Sequence, residues 1–375
     1  MAGIYIHIPY CKQKCNYCNF HFSINKRNIK EMIDSMIIEL DIRSDYLNHQ
    51  SIESIYFGGG TPSVIESQYI KRLIAKIKST YNVLTNAEIT MEFNPDDLSD
   101  KKIYELKKLG VNRLSIGIQS FNDKDLIFMN RSHNSKEAIS AVNIAKENGI
   151  NNITVDLIYG LPNQTNKMWE ENLNILFDLD INHFSAYALT VEPKTQLHHL
   201  IKKNKIEPLK DTVIEEQFRI LQNKSEEMGY MQYEISNFCR EEMLSQHNSS
   251  YWKNKWYLGI GPSAHSYNGI SRQWNIASNS KYIDNIKDKE KVFEIEILSQ
   301  EQMYNEYMLT SLRTSWGISI DYLSKNFNIN INKYFKNSCQ KWIENKKIIL
   351  DNNSYRLTKE GMLFADAISS DLFMI

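Results

Sequence analysis

Three cysteines crowd into eight residues near the start of the chain. Cys11, Cys15 and Cys18 have the spacing C-x3-C-x2-C, and Phe20 stands where a fourth cysteine could follow. Thiolates are soft ligands that suit zinc or iron–sulfur clusters. An iron–sulfur cube held by three cysteines leaves one iron without a protein ligand, and that iron can take an exchangeable one. The spacing therefore predicts a metal site with an open coordination position.

A structural zinc site is the alternative interpretation of the same cysteines. Closed zinc sites take four protein ligands, and a zinc site here would need His21 or His7 beside the three thiolates. The chain has five cysteines, an odd number that makes a poor disulfide framework and favours a metal site. The residues alone leave zinc and iron–sulfur open.

The elements that would position these cysteines follow a βα rhythm, in which short apolar runs alternate with amphipathic stretches. Strands are predicted at 4–8, 54–57, 88–93, 113–118, 153–160 and 183–189. Helices are predicted at 28–47, 66–79, 99–109, 135–148, 167–178 and 211–228. Six such units with right-handed crossovers predict an α/β fold, a partial (β/α)6 barrel similar to a TIM barrel.

The last part of the chain has a different pattern. Helices are predicted at 301–313, 319–326 and 335–346, followed by a hairpin around Asp351-Asn352-Asn353 and a closing helix. This order predicts a small winged-helix-like α+β module. We therefore expect three parts: a barrel over 1–230, a connecting region over 231–290 and the module over 291–375. The charged stretch 284–291 is the expected linker.

Polar residues stand at the carboxyl ends of the predicted strands, where barrel active sites form. Strand two ends in "FGGGTPS", whose glycines at 58, 59 and 60 let the backbone approach a ligand closely. The later strand ends carry Glu92, then Gln119 and Ser120 with Arg131 beyond, and Asp156. Carboxylates could bind an amine or hydroxyls, and Arg131 could pair with a carboxylate.

Six segments together resemble the oxygen-independent coproporphyrinogen III oxidase branch of the radical S-adenosylmethionine (SAM) superfamily. They are "YIHIPYC" with its two following cysteines, "FGGGTPS", "EFNP", "SIGIQSF", "NRSH" and "DLIYGLP". The resemblance implies that Cys11, Cys15 and Cys18 hold a [4Fe–4S] cluster whose open iron is chelated by SAM. It also implies SAM contacts at Tyr5, Tyr17, Gly59, Gly60, Thr61, Glu92, Gln119, Arg131 and Asp156.

That branch contains the oxidase and a group of heme chaperones, and two features favour the chaperones. Oxidase members carry a further cysteine two residues after the third, where this chain has Phe20. They also have a longer segment before the cluster, whereas Cys11 here follows only ten residues. Oxidase activity is therefore not expected, although the radical SAM residues are present.

A second motif, H-N-x-x-Y-W, is formed by His247, Asn248, Tyr251 and Trp252, and it resembles the heme-binding signature of these chaperones. Histidine is the common proximal ligand of heme iron, and aromatic rings can pack on a porphyrin face. A buried structural histidine in an aromatic cluster is the alternative. His265, in "SAHS", is the other candidate ligand.

The expected function is thus a heme chaperone that binds heme and passes it to an acceptor hemoprotein, with an oxidase or a zinc protein as the alternatives. A net charge of −1 gives no reason to expect nucleic acid. The sequence has no run of about 18 apolar residues, so we expect no transmembrane helix. Peripheral membrane association stays open. The opening "MAGIYIHIPY" predicts a strand and no signal segment, so a cytoplasmic location is expected.

Overall fold

The computed structural model describes residues 1–240 and 243–374. Its first six strands are β1 (Ala2–Ile8), β2 (Ile52–Gly59), β3 (Val83–Phe93), β4 (Arg113–Gln119), β5 (Ile153–Tyr159) and β6 (His183–Ala188). The helices after them are α1 (Ile29–Ile42), α2 (Ser67–Thr80), α3 (Asp100–Leu109), α4 (Asp123–Phe128), α5 (Ser135–Glu147), α6 (Asn166–Asp178), α7 (Gln196–Lys202) and α8 (Asp211–Glu227). The predicted six βα units are confirmed.

The six strands are parallel neighbours in the order β1 to β6. The next elements are β7 (Met231–Glu234), β8 (Asn237–Cys239), α9 (Gln246–Trp252), β9 (Tyr257–Ile260), β10 (His265–Tyr267), β11 (Ser271–Asn275), α10 (Asn279–Lys287) and β12 (Phe293–Ile297). The strands among these elements extend both edges of one twelve-stranded sheet. Its order is β12-β11-β10-β9-β1 on one side and β6-β8-β7 on the other. The edge strands β12 and β7 do not pair in the described chain, so the barrel is partial.

A separate small core holds the C-terminal module together. Its elements are α11 (Gln300–Leu312), β13 (Ile318–Ser319), α12 (Ile320–Asn326), α13 (Ile329–Glu344), β14 (Ile348–Asp351), β15 (Ser354–Leu357), α14 (Lys359–Met362) and α15 (Ala365–Leu372). The strands form a three-stranded sheet in the order β13-β15-β14. This helical module with its hairpin fits the predicted winged-helix-like arrangement. The expected linker at 284–291 is wrong in its first half, because α10 continues to Lys287.

The parallel strands have one apolar and one polar face, because successive side chains of a strand alternate between its two sides. On β1, Ile4, Ile6 and Ile8 are fully buried in the main core, which the helices cover. Tyr5 and His7 point to the other side, into the barrel. The barrel interior therefore carries polar groups that must find partners within it.

Those partners form a hydrogen-bonded floor at the amino-terminal end of the barrel strands. Arg113 donates to the Thr154 hydroxyl, which lies 2.9 Å from Nδ1 of His183. His247 is fully buried beside this layer, with Nδ1 2.8 Å from Ser54 Oγ. Its Nε2 lies 2.8 Å from the hydroxyl of Tyr251. Helix α9 thus closes the floor by inserting a histidine whose two ring nitrogens both have partners.

The connecting region is fixed to the barrel through one buried carboxylate on α1. Glu39 is fully buried and accepts hydrogen bonds from the Tyr282 hydroxyl at 2.6 Å, Asn275 Nδ2 at 2.8 Å and Gly261 N at 2.8 Å. Arg43 completes the group at 3.4 Å. A buried charge with this many donors is satisfied, and removing one would leave a costly unpaired group. The strands β9 to β11 therefore belong structurally to the barrel.

The buried state of His247 predicts a pH-dependent stability. Burial lowers the pKa of His247 to about 3, below its value of about 6.5 in an unfolded chain. Between these values the unfolded chain binds a proton that the folded one does not. This histidine therefore stabilises the fold fully above about pH 6.5, and its contribution falls as the pH drops toward 3.

We predict that His247→Gln makes the free energy of unfolding less dependent on pH, by about 1.4 kcal/mol per pH unit between pH 4 and 6. Glutamine keeps a donor and an acceptor for Ser54 and Tyr251. Urea unfolding of both proteins at several pH values measures the slope, and the exposed His49→Gln is the matched control. Equal slopes for wild type and His247→Gln would show that His247 is not held neutral.

Candidate functional site

The cysteine-bearing loop after β1 is held in place by two other segments. The chain just after α4 contacts it twice: Gln13 Nε2 donates to the carbonyl of Asn130, and Asn130 Nδ2 donates to the carbonyl of Lys14, each at 2.7 Å. Asn16 Nδ2 donates to the carbonyl of Phe128 at 2.6 Å. From the other side, the backbone N–H of Leu197 in α7 donates to the Asn16 carbonyl at 2.9 Å. The loop is therefore ordered by hydrogen bonds to backbone carbonyls that do not involve its sulfurs.

Two donors point at the cysteine sulfurs. The Thr61 hydroxyl lies 3.4 Å from Cys11 Sγ, and Arg131 Nη1 lies 3.3 Å from Cys15 Sγ. Burial raises the pKa of the Cys11 thiol to about 11 and also raises the pKa of Cys18. Metal binding would release these protons, because the thiolate is the ligand. Three sulfurs on one ordered loop, with a hydroxyl and a guanidinium donating to them, fit a thiolate-bound cluster.

Two glycines of "FGGGTPS", Gly59 and Gly60, make room for β1 and the start of this loop, whereas a Cβ on Gly58 would lie 2.9 Å from Glu92 Oε1. A Cβ on Gly60 would lie 2.7 Å from the Tyr10 carbonyl oxygen and 2.8 Å from its nitrogen. Gly59 has φ of 110°, and a Cβ there would lie 2.7 Å from the His7 ring. Two backbone hydrogen bonds join this glycine segment to the end of β1 and the chain after it. Gly60 N donates to the Ile8 carbonyl at 2.9 Å, and Thr61 N donates to the Tyr10 carbonyl at 2.7 Å. The expected close approach occurs, and its partner is β1 and the start of the cysteine loop.

A cavity of about 460 Å³ lies between the cysteine loop and the carboxyl ends of β2 to β6. Its lining includes nearly all the residues predicted to contact cluster and cofactor: Cys11, Cys15, Tyr17, Cys18, Gly59, Gly60, Thr61, Glu92, Gln119, Arg131 and Asp156. Residues far apart in the sequence thus converge on one space, as polar groups at successive strand ends should.

Two carboxylates, each half-buried in the cavity wall, give this cavity negative charge when they are ionised. Burial raises the pKa of Glu92 to about 7, while a hydrogen bond from the Tyr56 hydroxyl at 2.9 Å opposes the rise. Burial also raises the pKa of Asp156, which accepts from Ser115 Oγ at 3.1 Å. In the described chain neither carboxylate has a salt bridge, whereas the buried Glu39 and Glu88 each lie near an arginine. The cavity can therefore accept a cationic ligand.

Arg131 joins the cysteine loop to the strand ends. Its Nη2 donates to Asn94 Oδ1 at 2.8 Å and to the Gly117 carbonyl at 2.7 Å, while Nη1 reaches Cys15. The nearby Gln119 has φ of 70°, an uncommon conformation for a residue other than glycine. Strained backbone of this kind concentrates at ligand sites. The end of β4 is therefore shaped for the cavity at some cost to the backbone.

Tyr5 does not line the cavity, unlike the other predicted SAM residues. It lies below it, with its hydroxyl 3.3 Å from His7 Nδ1 and its ring stacked on Tyr56 at 6.0 Å and on His247 at 6.3 Å between centroids. Strand alternation puts Tyr5 on the inner face but too deep for the space above Glu92. As placed, Tyr5 supports the cavity floor.

The H-N-x-x-Y-W residues are split between two environments. Asn248 lines the cavity, while His247 and Tyr251 belong to the barrel floor described above. The Trp252 ring lies 5.5 Å from the guanidinium carbon of Arg313 in α11. His265, the other candidate heme ligand, is exposed at the start of β10. His247 could reach an iron only after giving up Ser54 or Tyr251.

His21, the candidate fourth zinc ligand, has a partner outside the cysteine loop. Its Nε2 lies 2.8 Å from Asn279 Oδ1 at the start of α10, and its backbone carbonyl lies 2.9 Å from His7 Nε2.

Several cavity residues were missed in the sequence. Tyr56, Ser115 and Tyr187 line it from β2, β4 and β6, and Asn94 and Ser132 lie at its rim. The period-two alternation would have identified the first three, since each lies two residues from another inward-facing position. Asn94 and Ser132 lie in connecting segments, where no regular spacing marks them.

Comparison with known proteins agrees with this geometry. Residues 5–176 match the family model described as the radical SAM superfamily, and residues 298–364 match the HemN C-terminal domain. The chain is similar in fold to coproporphyrinogen III oxidase (HemN) from Escherichia coli, with a TM-score of 0.86 and 20% identity over 100% of this chain and 90% of that one. At that identity the likeness shows the fold alone.

Several curated proteins are more similar to this chain in sequence than the oxidase is. The chain is 34% identical to the heme chaperone HemW of Bacillus subtilis (strain 168), over 98% of both chains. It is 35% identical to the heme chaperone HemW of Buchnera aphidicola subsp. Schizaphis graminum, over 98% of this chain and 96% of that one. It is 30% identical to the mitochondrial radical S-adenosyl methionine domain-containing protein 1 of Danio rerio, over 98% and 86%. The chain therefore belongs to the HemW family of the radical SAM superfamily.

Proposed function

We propose that this protein is a heme chaperone that carries a SAM-ligated [4Fe–4S] cluster, binds heme and transfers it to an acceptor hemoprotein in the cytoplasm. The observation that carries the proposal is the identity of 34–35% to proteins named heme chaperone HemW along nearly the whole of both chains. In the described residues no helix is long and apolar enough to cross a membrane. The acceptor would be an apoprotein with an empty heme site.

The cysteine loop would hold the cluster through Cys11, Cys15 and Cys18. When bound, the cluster offers SAM one open iron and can pass it an electron. The chain's own contribution is to order the loop, to donate to two sulfurs from Thr61 and Arg131, and to keep the site largely buried. Hydrogen bonds to cluster sulfurs tune the reduction potential. Arg131 would therefore act on the cluster and on the cavity at once.

The cavity would hold SAM. SAM carries a sulfonium and an amine, and Glu92 and Asp156 are half-buried carboxylates that line the cavity and form no salt bridge in the described chain. A cationic ligand would favour their charged forms and so lower both pKa values toward the ordinary range. The volume of about 460 Å³ lies within the range of small-molecule sites. Charge and size therefore both support SAM as the occupant.

The oxidase remains the second candidate because the fold is shared with HemN of Escherichia coli. One position bears on the choice: Phe20 stands two residues after Cys18, where oxidases have a cysteine by the resemblance noted above. Its side chain is 69% exposed at the cavity rim. A phenyl ring there offers neither a thiol nor a proton for redox chemistry. This supports a binding protein over an oxidase.

Loss of one cysteine should abolish the cluster. We expect Cys15→Ala, reconstituted without oxygen, to hold far fewer than about four iron atoms per chain, because two thiolates leave two irons without protein ligands. Iron and sulfide analysis measures the cluster content, and the absorbance spectrum of the cluster is recorded on the same samples. The matched control is Cys339→Ala, in the core of the C-terminal module. A full cube in Cys15→Ala would contradict the assignment, as would zinc without sulfide in the wild type.

Glu92 should couple SAM binding to pH. With its pKa raised to about 7, the carboxyl of the free protein takes a proton as the pH falls below 7, and a cation binds the charged form. We predict that Glu92→Gln weakens SAM binding at least about tenfold at pH 7.5, equal to ~1.4 kcal/mol. The gap between wild type and variant should narrow toward pH 5.5. Calorimetry measures the SAM affinity of wild type and variant at each pH, and the exposed Glu290→Gln is the control. An unchanged affinity in Glu92→Gln would show that Glu92 does not contribute to SAM binding.

Oxidase activity should be absent. We expect the reconstituted protein, given SAM and a reductant, not to convert coproporphyrinogen III into protoporphyrinogen IX. The assay is run without oxygen beside the Escherichia coli oxidase as positive control. Product at about 0.1 per second or faster, near the lower end of ordinary enzyme turnover, would return the assignment to the oxidase.

A further inference from the structure

An open recess lies on the outer side of the cysteine loop, next to the SAM cavity. Its volume is about 500 Å³, and its walls are residues 18–20 and 22–24, Lys14, and residues 193–195 before α7. Cys18, Asn19 and Phe20 line both this recess and the SAM cavity. The two spaces thus share one wall, and that wall carries a cluster cysteine.

The segment 20–24 presents an apolar strip to this recess. Phe20 and Ile24 are 69% and 62% exposed, and Phe22 between them is half-buried. The three alternate with His21 and Ser23, as side chains on one side of an extended chain do. His21 hydrogen-bonds Asn279, and the Ser23 hydroxyl donates to the carbonyl of Asn25 at 3.3 Å. The large side chains of Phe20 and Ile24 are left mostly exposed at the recess.

Two lysines stand at this strip with their charges unpaired. In the described chain Lys14 and Lys194 have no salt bridge and are exposed, whereas the neighbouring Lys12 is paired with both Asp96 and Asp97. The recess thus combines an apolar surface with two free cations. A flat apolar ligand with two carboxylates complements it, and a porphyrin with its two propionates has this chemistry.

The other places for a porphyrin in this molecule fit less well. The cavity of about 460 Å³ would be taken up by SAM, and heme is the larger molecule. His247 is fully buried, with both ring nitrogens in hydrogen bonds to Ser54 and Tyr251. An open recess also suits a protein that must release its ligand, because part of the porphyrin stays accessible to an acceptor.

We propose that the recess formed by Phe20, Phe22, Ile24, Lys14 and Lys194 is the porphyrin-binding site, and that heme and SAM bind at the same time on either side of Phe20. This inference rests on the proposed heme-chaperone function and names where that ligand binds. No histidine lines the recess. Binding there rests on apolar contact and on propionate–lysine pairs, so it does not require the iron.

The test uses the full chain, reconstituted with its cluster, and two probes: heme, followed by absorbance, and metal-free protoporphyrin IX, followed by fluorescence. We expect both probes to bind, with and without SAM. Phe20→Ser and the double variant Lys14→Glu with Lys194→Glu should each weaken both at least tenfold. A dimethyl-ester porphyrin should lose affinity in Phe20→Ser and be unaffected by the lysine reversal.

The matched controls are Ile270→Ser, an exposed apolar residue on a distant turn, and the double variant Lys325→Glu with Lys336→Glu in the C-terminal module. Iron content verifies that the cluster persists in every variant. Both control proteins should bind porphyrin like the wild type.

Three outcomes would overturn this inference and leave the chaperone function standing. One is heme binding by the wild type without protoporphyrin binding, which would make an iron ligand the source of affinity. Another is affinity within twofold of wild type in both the Phe20 and the lysine variants. The third is a wild-type dimer that Phe20→Ser turns into a monomer, which would make a second copy the occupant. A wild type that binds neither probe would instead refute the proposed function itself.

Discussion

The polar inner face of the barrel has to be satisfied inside the protein, and the location of the site follows from this requirement. Each parallel strand turns apolar side chains toward the helices and polar ones inward. At the floor the polar side chains bond to one another, with Arg113, Thr154 and His183 joined in one chain of contacts. At the upper end Glu92 and Asp156 are half-buried, and in the described part of the chain neither forms a salt bridge. Unpaired charge away from water is costly, so a cationic ligand would stabilise this end of the barrel.

Close backbone packing links the cysteine loop to the strand ends. Gly60 lies so near Tyr10 that any side chain would displace the loop, and Arg131 spans from Cys15 to the carbonyl of Gly117. Cluster loop, β2 and β4 are therefore one rigid unit. A change at any of the three would move the others, since interiors at this density transmit strain. Gly59 and Gly60 thus position the loop and also line the cavity beside it.

The sequence predicts the barrel well and its edges poorly, for a physical reason. Long periodic segments such as α5 and β4 agree with the prediction to within a residue or two. Strands β7 to β12 have only three to five residues each, too few for a period to show, and they form because a sheet edge offers them partners. Most of the residues predicted at the strand ends line one cavity, and Tyr5 lies below it. The contact of His247 with Ser54 spans 193 positions, and no local pattern could show it.

A chaperone and an oxidase can share this scaffold because the scaffold determines where the cofactor sits and leaves its surroundings free. The fold matches an oxidase at 20% identity, so most side chains differ while the overall architecture is shared. What lies next to Cys18 is set by a short extended segment outside the barrel core. Replacing a reactive thiol there by an exposed phenyl ring costs the barrel little, since Phe20 packs against nothing it must hold. In the function proposed above, this exposed ring would provide a surface that can hold a porphyrin and release it.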